Sequence, residues 1–165
     1  MDTLQERSKT THLVVHCSGT PFGSVAGFRK YHMEFKGLKD IGFNLMIGNG
    51  LGMPDGSIEP GRDEWVAGAH CIDYNQISIG ICLIGDIDRT PPTQPQTDTL
   101  IRTLTDLCIK YHIPAKNILG HRETLSGQAQ GKTCPGKLLD MNQIRSLVQK
   151  QLQNNLQVVN SSLAV

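Results

Sequence analysis

The chain has 165 residues, 16 Lys and Arg against 15 Asp and Glu for a formal charge of +1, and a 38% hydrophobic content. That length and apolar content suit one folded domain and exclude a disordered or collagen-like chain. The balanced charge leaves no cationic excess to neutralise phosphates, so nucleic acid is not expected as a partner.

Residues 1–10 are polar and lack the apolar core of a secretory signal, which implies synthesis in a cytoplasm without an export route of its own. The longest apolar run, residues 79–85, is far shorter than the ~18 residues of a membrane span, so no membrane insertion is expected. Five cysteines, with no C-x-x-C pair among them, argue against a disulfide framework and for reduced thiols, one of them available to a metal.

Residues 11–18 are β-branched and apolar up to Gly19 and predict a buried strand, with His12, Val14 and His16 on one face. Val25, Phe28, His32 and Phe35 recur at helical spacing until Gly37. Residues 40–47 predict a second strand, 48–56 a long Gly-rich turn and 57–60 its returning partner. The nearly continuous apolar run from Ser78 predicts a central strand covered on both faces. Residues 86–97, with Pro91, Pro92 and Pro95, are expected as loop. Leu100, Ile101, Leu104, Leu107, Cys108 and Tyr111 then trace a helical stripe that stops before Pro114. Residues 117–120 predict a short strand leading into His121. Asp140 caps a last helix to residue 152, and the Asn-, Gln- and Ser-rich residues 153–165 are expected as a disordered tail. The fold class that results is α/β: a single domain, residues 1–152, with a central mixed β-sheet flanked by helices.

His16, His121 and Cys134 each stand at a strand end or in a loop. A catalytic zinc site needs three nitrogen, sulfur or oxygen ligands and leaves a fourth position open, a count these three meet. Taken singly, each reads better as a buried structural residue than as a ligand.

The strings Val15-His-Cys-Ser18, Asn117-Ile-Leu-Gly-His-Arg-Glu123 and Lys132-Thr-Cys-Pro-Gly136 carry more information together. With Asp40-Ile-Gly-Phe-Asn44, Glu59-Pro-Gly-Arg62, Gly68-Ala-His70 and Tyr74-Asn-Gln-Ile-Ser-Ile-Gly80 between them, the chain resembles the zinc-dependent N-acetylmuramoyl-L-alanine amidases over roughly residues 11–150. That family includes bacteriophage amidase-type lysozymes and peptidoglycan recognition proteins. The resemblance implies one zinc per chain on His16, His121 and Cys134, in a cleft at one edge of the sheet. It implies Lys132 as the cation facing the polarised amide oxygen, and peptidoglycan as the substrate of a monomeric endolysin that acts on the cell wall after release. Phe43, Asn44, Arg62, His70 and Tyr74 fall at substrate-cleft positions.

One departure stands out. Many relatives carry a tyrosine where this chain has Phe43, and others a glutamate where it has Cys82; phenylalanine can neither donate a hydrogen bond nor carry a proton. Two readings stay open. Either another group handles the proton, with His70 first because imidazole titrates near neutrality, or the chain is a catalytically weak peptidoglycan-binding module or regulator. Arg62 is open in the same way, between gripping a stem-peptide carboxylate and an internal salt bridge.

Overall fold

The computed structural model describes residues 4–163; residues 1–3 of the polar leader and 164–165 of the expected tail lie outside the described residues. Five strands form one mixed sheet: β1 (His12–Cys17), β2 (Leu45–Ile47), β3 (Ile58–Pro60), β4 (Ser78–Leu83) and β5 (Ile118–Gly120). Their order is β3-β2-β4-β1-β5, with only β3 antiparallel to its neighbour. β4 is central and buried at every position, as its unbroken apolar run implies.

Alternation along β1 and β4 gives the sheet two different faces. Leu13, Val15, Ile79, Ile81 and Leu83 point into the main core. There they meet α2 (Gln94–Tyr111) through Leu100, Leu104 and Cys108, and α4 (Met141–Leu163) through Ile144 and Val148. On the opposite face α1 (Val25–Lys36) sets Val25 and Phe28 against Ile41, Met46, Cys82 and Ile84 and covers only part of the sheet. The uncovered part holds His16.

Caps explain where the helices begin. The Ser24 side chain accepts from the Gly27 N–H and Gly37 closes α1 in the left-handed region. Thr93 and Gln96 form a capping box for α2. The loop expected through residue 97 therefore ends earlier, because Pro95 lies in the first turn, where no backbone N–H is needed. The strand expected over residues 40–47 is confined to its last three. Upstream, side chains take over the ladder's role: Asp40 Oδ1 accepts from the Ile41 N–H at 2.6 Å and His32 Nδ1 from the Gly42 N–H at 2.9 Å.

The expected tail is a correction of another kind. α4 continues as helix to Leu163, anchored by Val148 in the core and Leu152 at its border, while Leu156 and Val158 stand exposed beyond it. Good helix formers such as Gln and Leu carry an already nucleated helix onward without tertiary cover. Among the described residues, no helix is long and apolar enough to cross a membrane.

Candidate metal centre and active site

His16 lies near the carboxyl end of β1, on the face away from the main core, and is 2% exposed. Val15 pairs with Gly120 at the end of β5, so the next residue, His121, emerges beside it, with ring centroids 4.7 Å apart. Ligands in open parallel sheets collect at the carboxyl ends of strands, as here. The turn holding His121 is tightly built. Thr124 Oγ1 donates to the His121 carbonyl at 2.8 Å, and a Cβ on Gly127 of α3 (Leu125–Ala129) would come within 1.9 Å of that oxygen, so only glycine fits.

Cys134 arrives from a loop that Arg122 holds in place. The Arg122 guanidinium donates to the carbonyls of Thr133 (3.2 Å), Gly136 (2.6 Å) and Leu139 (2.8 Å), and the Arg122 backbone N–H donates to that of Cys134 (2.7 Å). Glu123 anchors the other side, accepting from the Gly120 N–H at 2.7 Å and from both Arg145 amino groups at 2.8 and 3.0 Å. Sequence reasoning missed both roles. Arg122 and Glu123 flank His121 in a quoted string, but only the fold shows what they grip.

The ligand atoms of His16, His121 and Cys134 all lie within 4.8 Å of one another, with Cys134 Sγ 3.6 Å from His16 Nδ1. Tetrahedral zinc with bonds of about 2.0–2.3 Å separates its ligands by roughly 3.3–3.8 Å, so the donors need to move little. Protonation supports the fit. Burial, then His70 and His121, push His16 well below the ordinary imidazole range; burial and the Lys132 charge lower His121. Both are therefore neutral donors at pH 7. The Cys134 thiol is held up by its hydrogen bond with Cys17 and by burial, which a divalent cation would reverse, and the Cys17 N–H already points at the sulfur from 3.4 Å.

These residues open into a cavity of about 640 Å³ that Lys132, His70, Phe43, His32 and Gln130 also line. Lys132 is exposed and follows the short helix α3, its N–H bonded to the Gly127 carbonyl. The Phe43 ring stands between His16 and His32, 5.2 and 5.5 Å from their centroids. Gln130 was not anticipated from the sequence.

His70 reaches the site in a different capacity from the one its ordinary pKa suggests. Its Nδ1 is 3.0 Å from His16 Nε2, its own Nε2 is sealed without a hydrogen-bond partner, and burial followed by the charges of His121, Arg62 and Arg7 lowers its pKa to about 3. It is thus neutral throughout the physiological range. A Cβ on Gly80 would lie 2.4 Å from the His70 ring and one on Gly68 2.2 Å, so two glycines make the slot in which the ring sits.

Three cleft expectations are corrected. Asn44 is 1% exposed and fully engaged, donating to the carbonyls of Asp63 and Val66 and accepting from the Gly80 N–H. Arg62, also 1% exposed, donates to the carbonyls of Ile41, Ala67 and Asp40 and is sealed from any substrate carboxylate. Tyr74 packs edge-on against His12, at the opposite end of β1 from His16 and outside the cavity lining. Asn44 and Arg62 are polar residues spent on tying loops to the sheet.

A family model described as N-acetylmuramoyl-L-alanine amidase matches residues 6–137. The chain belongs to that family. It is 37% identical over 138 residues to the endolysin of Enterobacteria phage K11, covering 79% of this chain and 83% of that one. The endolysin of Escherichia phage T7 is 36% identical over 115 residues, covering 65% and 72%. Among solved structures, a point mutant of Drosophila PGRP-LB in complex with tracheal cytotoxin matches with a TM-score of 0.70 at 30% identity, covering 84% of this chain and 82% of that one. The amidase LysC of Clostridium intestinale shares the fold, with a TM-score of 0.72 over 83% of each chain at 23% identity. The protein is thus a hydrolase of the N-acetylmuramoyl-L-alanine amidase class.

Proposed function

We propose that this amidase is a zinc-dependent endolysin. Acting as a monomer on the cell wall after release from the producing cell, it hydrolyses the amide between the lactyl group of N-acetylmuramic acid and the L-alanine of peptidoglycan. The observation that carries the reading is the convergence of His16, His121 and Cys134 on a cavity that Lys132 also lines. The matches to phage endolysins support the lytic role.

A zinc ion on those three residues would supply Lewis acidity and bring the pKa of a water to near 7. The rest of the chemistry falls to side chains. His70 is a positioning residue: by accepting from His16 Nε2–H it leaves His16 Nδ1, the nitrogen facing Cys134, with a free lone pair for the metal. Lys132 sets its ammonium where negative charge develops on the lactyl oxygen as the carbonyl is attacked. Phe43 packs against His16 and narrows the approach.

A second reading, a weakly catalytic peptidoglycan binder, has one observation in its favour: Phe43 brings no hydroxyl to the site. Release of L-alanine amino termini from purified cell walls, measured with metal-loaded and chelator-treated protein, separates the two. One zinc per chain and metal-dependent release are expected. Undiminished release from metal-free protein would overturn the zinc assignment, and no release from the loaded protein would favour the binder.

A further inference from the structure

The arm that carries Lys132 runs between two of the candidate ligands, from Thr124 after His121 to Thr133 before Cys134. Its helix, α3, has only five residues, too few for a helix to hold itself, so its place depends on bonds to the rest of the fold. Those bonds start at a carboxylate outside the cavity lining. Asp73, in the turn before β4, accepts from the Ser126 N–H at 3.0 Å through Oδ2 and from the Ser126 hydroxyl at 2.5 Å through Oδ1. We propose that Asp73 is a positioning residue for Lys132, a carboxylate clamp that fixes the arm bearing the lysine. The inference rests on the amidase reading above.

The path from clamp to lysine is short. The Ser126 N–H is one of the first-turn donors that a helix leaves without an internal partner, and the next, that of Gly127, is taken by Thr124 Oγ1 at 3.0 Å. The Gly127 carbonyl accepts from the Lys132 N–H at 2.9 Å, and the Ser126 carbonyl from the Gln130 N–H at 3.1 Å. The Lys132 backbone is therefore bonded to the neighbour of the residue that Asp73 holds. Cys71 backs the clamp: 3% exposed, its sulfur lies 3.1 Å from Asp73 Oδ1 and 3.4 Å from Oγ1 of Thr124, itself 1% exposed.

The other end of the arm is fixed separately. Asp88, in the turn after β4, accepts from the Thr133 hydroxyl at 2.7 Å and from the Lys137 N–H at 2.8 Å, and Arg122 grips the same loop. Loss of the Asp73 clamp would thus leave Cys134 in place and loosen the stretch where Lys132 stands. A charge that must meet a developing oxyanion is sensitive to such freedom, since a misplacement of about 1 Å costs up to about 10²-fold in rate.

The test places Asp73→Ala and Asp73→Asn in the full chain, each with Lys132 and with Lys132→Ala. With Lys132 present, Asp73→Ala should lower kcat for L-alanine release about tenfold, as for loss of one charge-assisted hydrogen bond, with KM and zinc content unchanged. Asp73→Asn should restore most of the rate, because its amide accepts from the Ser126 N–H and donates to the Ser126 hydroxyl. With Lys132→Ala, the same Asp73→Ala change should alter kcat by less than about twofold, a non-additivity that a general loss of structure would not produce. A readout free of substrate and metal is trypsin cleavage of the native protein after Lys132, which Asp73→Ala should speed about tenfold while cleavage after Lys116, beyond the other end of β5, stays unchanged. Equal losses of kcat in both backgrounds, a loss of zinc, an Asp73→Asn variant as impaired as Asp73→Ala, or unchanged cleavage after Lys132 would overturn the proposal. If the wild-type protein releases no L-alanine, the amidase reading falls and the trypsin rates alone decide whether Asp73 fixes the arm.

Discussion

The two faces of the sheet are built by opposite rules from the same strands. Toward α2 and α4, β1 and β4 present Leu13, Val15, Ile79, Ile81 and Leu83, and space is filled by apolar volume. Toward the cleft the same strands present His12, Val14, His16 and Gly80, and the loops above are held by saturated polar groups: Asn44, Arg62, Arg122 and Glu123. A face packed by volume tolerates chemical substitution better than a change of size, whereas a face tied by hydrogen bonds leaves room for a cavity but suffers from any lost partner.

The largest expected effect is on the cleft face. Cys134→Ala should remove bound zinc and reduce amidase activity to that of metal-free protein, checked by metal analysis and L-alanine release; full occupancy in the variant would exclude Cys134 as a ligand. Lys132→Ala should lower kcat about 10²–10³-fold with little change in KM, because its charge is met only as the oxyanion develops. A raised KM with kcat unchanged would instead make Lys132 a substrate-binding residue.

The comparison sharpens with one substitution on each face. Leu104→Ala, in the α2 core, should cost about 2–5 kcal/mol of stability in denaturant titration while the remaining folded protein keeps its metal affinity. Gly80→Ala should displace the His70 ring and lower metal affinity about 10–100-fold, as for loss of an outer partner to a ligating histidine. Equal metal affinities in the two variants would show that the faces are not separable in this way.

A smaller effect concerns the anchor beneath His121. Burial alone would raise the Glu123 pKa, but the Arg145 fork and the Gly120 N–H outweigh it and lower the pKa below the ordinary value. Glu123 therefore stabilises the fold above its unfolded pKa of about 4.3, and that contribution disappears as the pH falls through its lower folded value. With the pair partly exposed, Glu123→Gln should cost about 1 kcal/mol at pH 7, and the gap to wild type should close below about pH 4. A gap that persists at pH 3 would assign the loss to packing rather than charge. Smallest of all, Phe43→Tyr adds one hydroxyl to a ring whose centroid lies 5.2 Å from that of His16 and should raise kcat/KM a few-fold, of order 1 kcal/mol; an unchanged rate would mean the missing hydroxyl is no deficit.

Much of this architecture is legible in one dimension because its causes are local. Period-two and helical spacing, Gly37, Pro114 and the caps are read along the chain, and β1, α1, β4 and the stripe of α2 follow from them. The candidate ligand triad is legible for a different reason: the strings around His16, His121 and Cys134 resemble those of a known zinc amidase family, and imidazole and thiolate are donors that zinc prefers. What lay outside the sequence depends on where distant segments meet. Asn44, Arg62 and Tyr74 have the chemistry of substrate contacts, and only burial among partners 5 to 36 residues away makes the first two structural. His70 has an ordinary imidazole's pKa until Gly68 and Gly80 admit it beside His16 and water is excluded. Desolvation and hydrogen-bond satisfaction are properties of assembled surroundings, so the tertiary structure alone decides which polar residues face a substrate and which hold the cleft open.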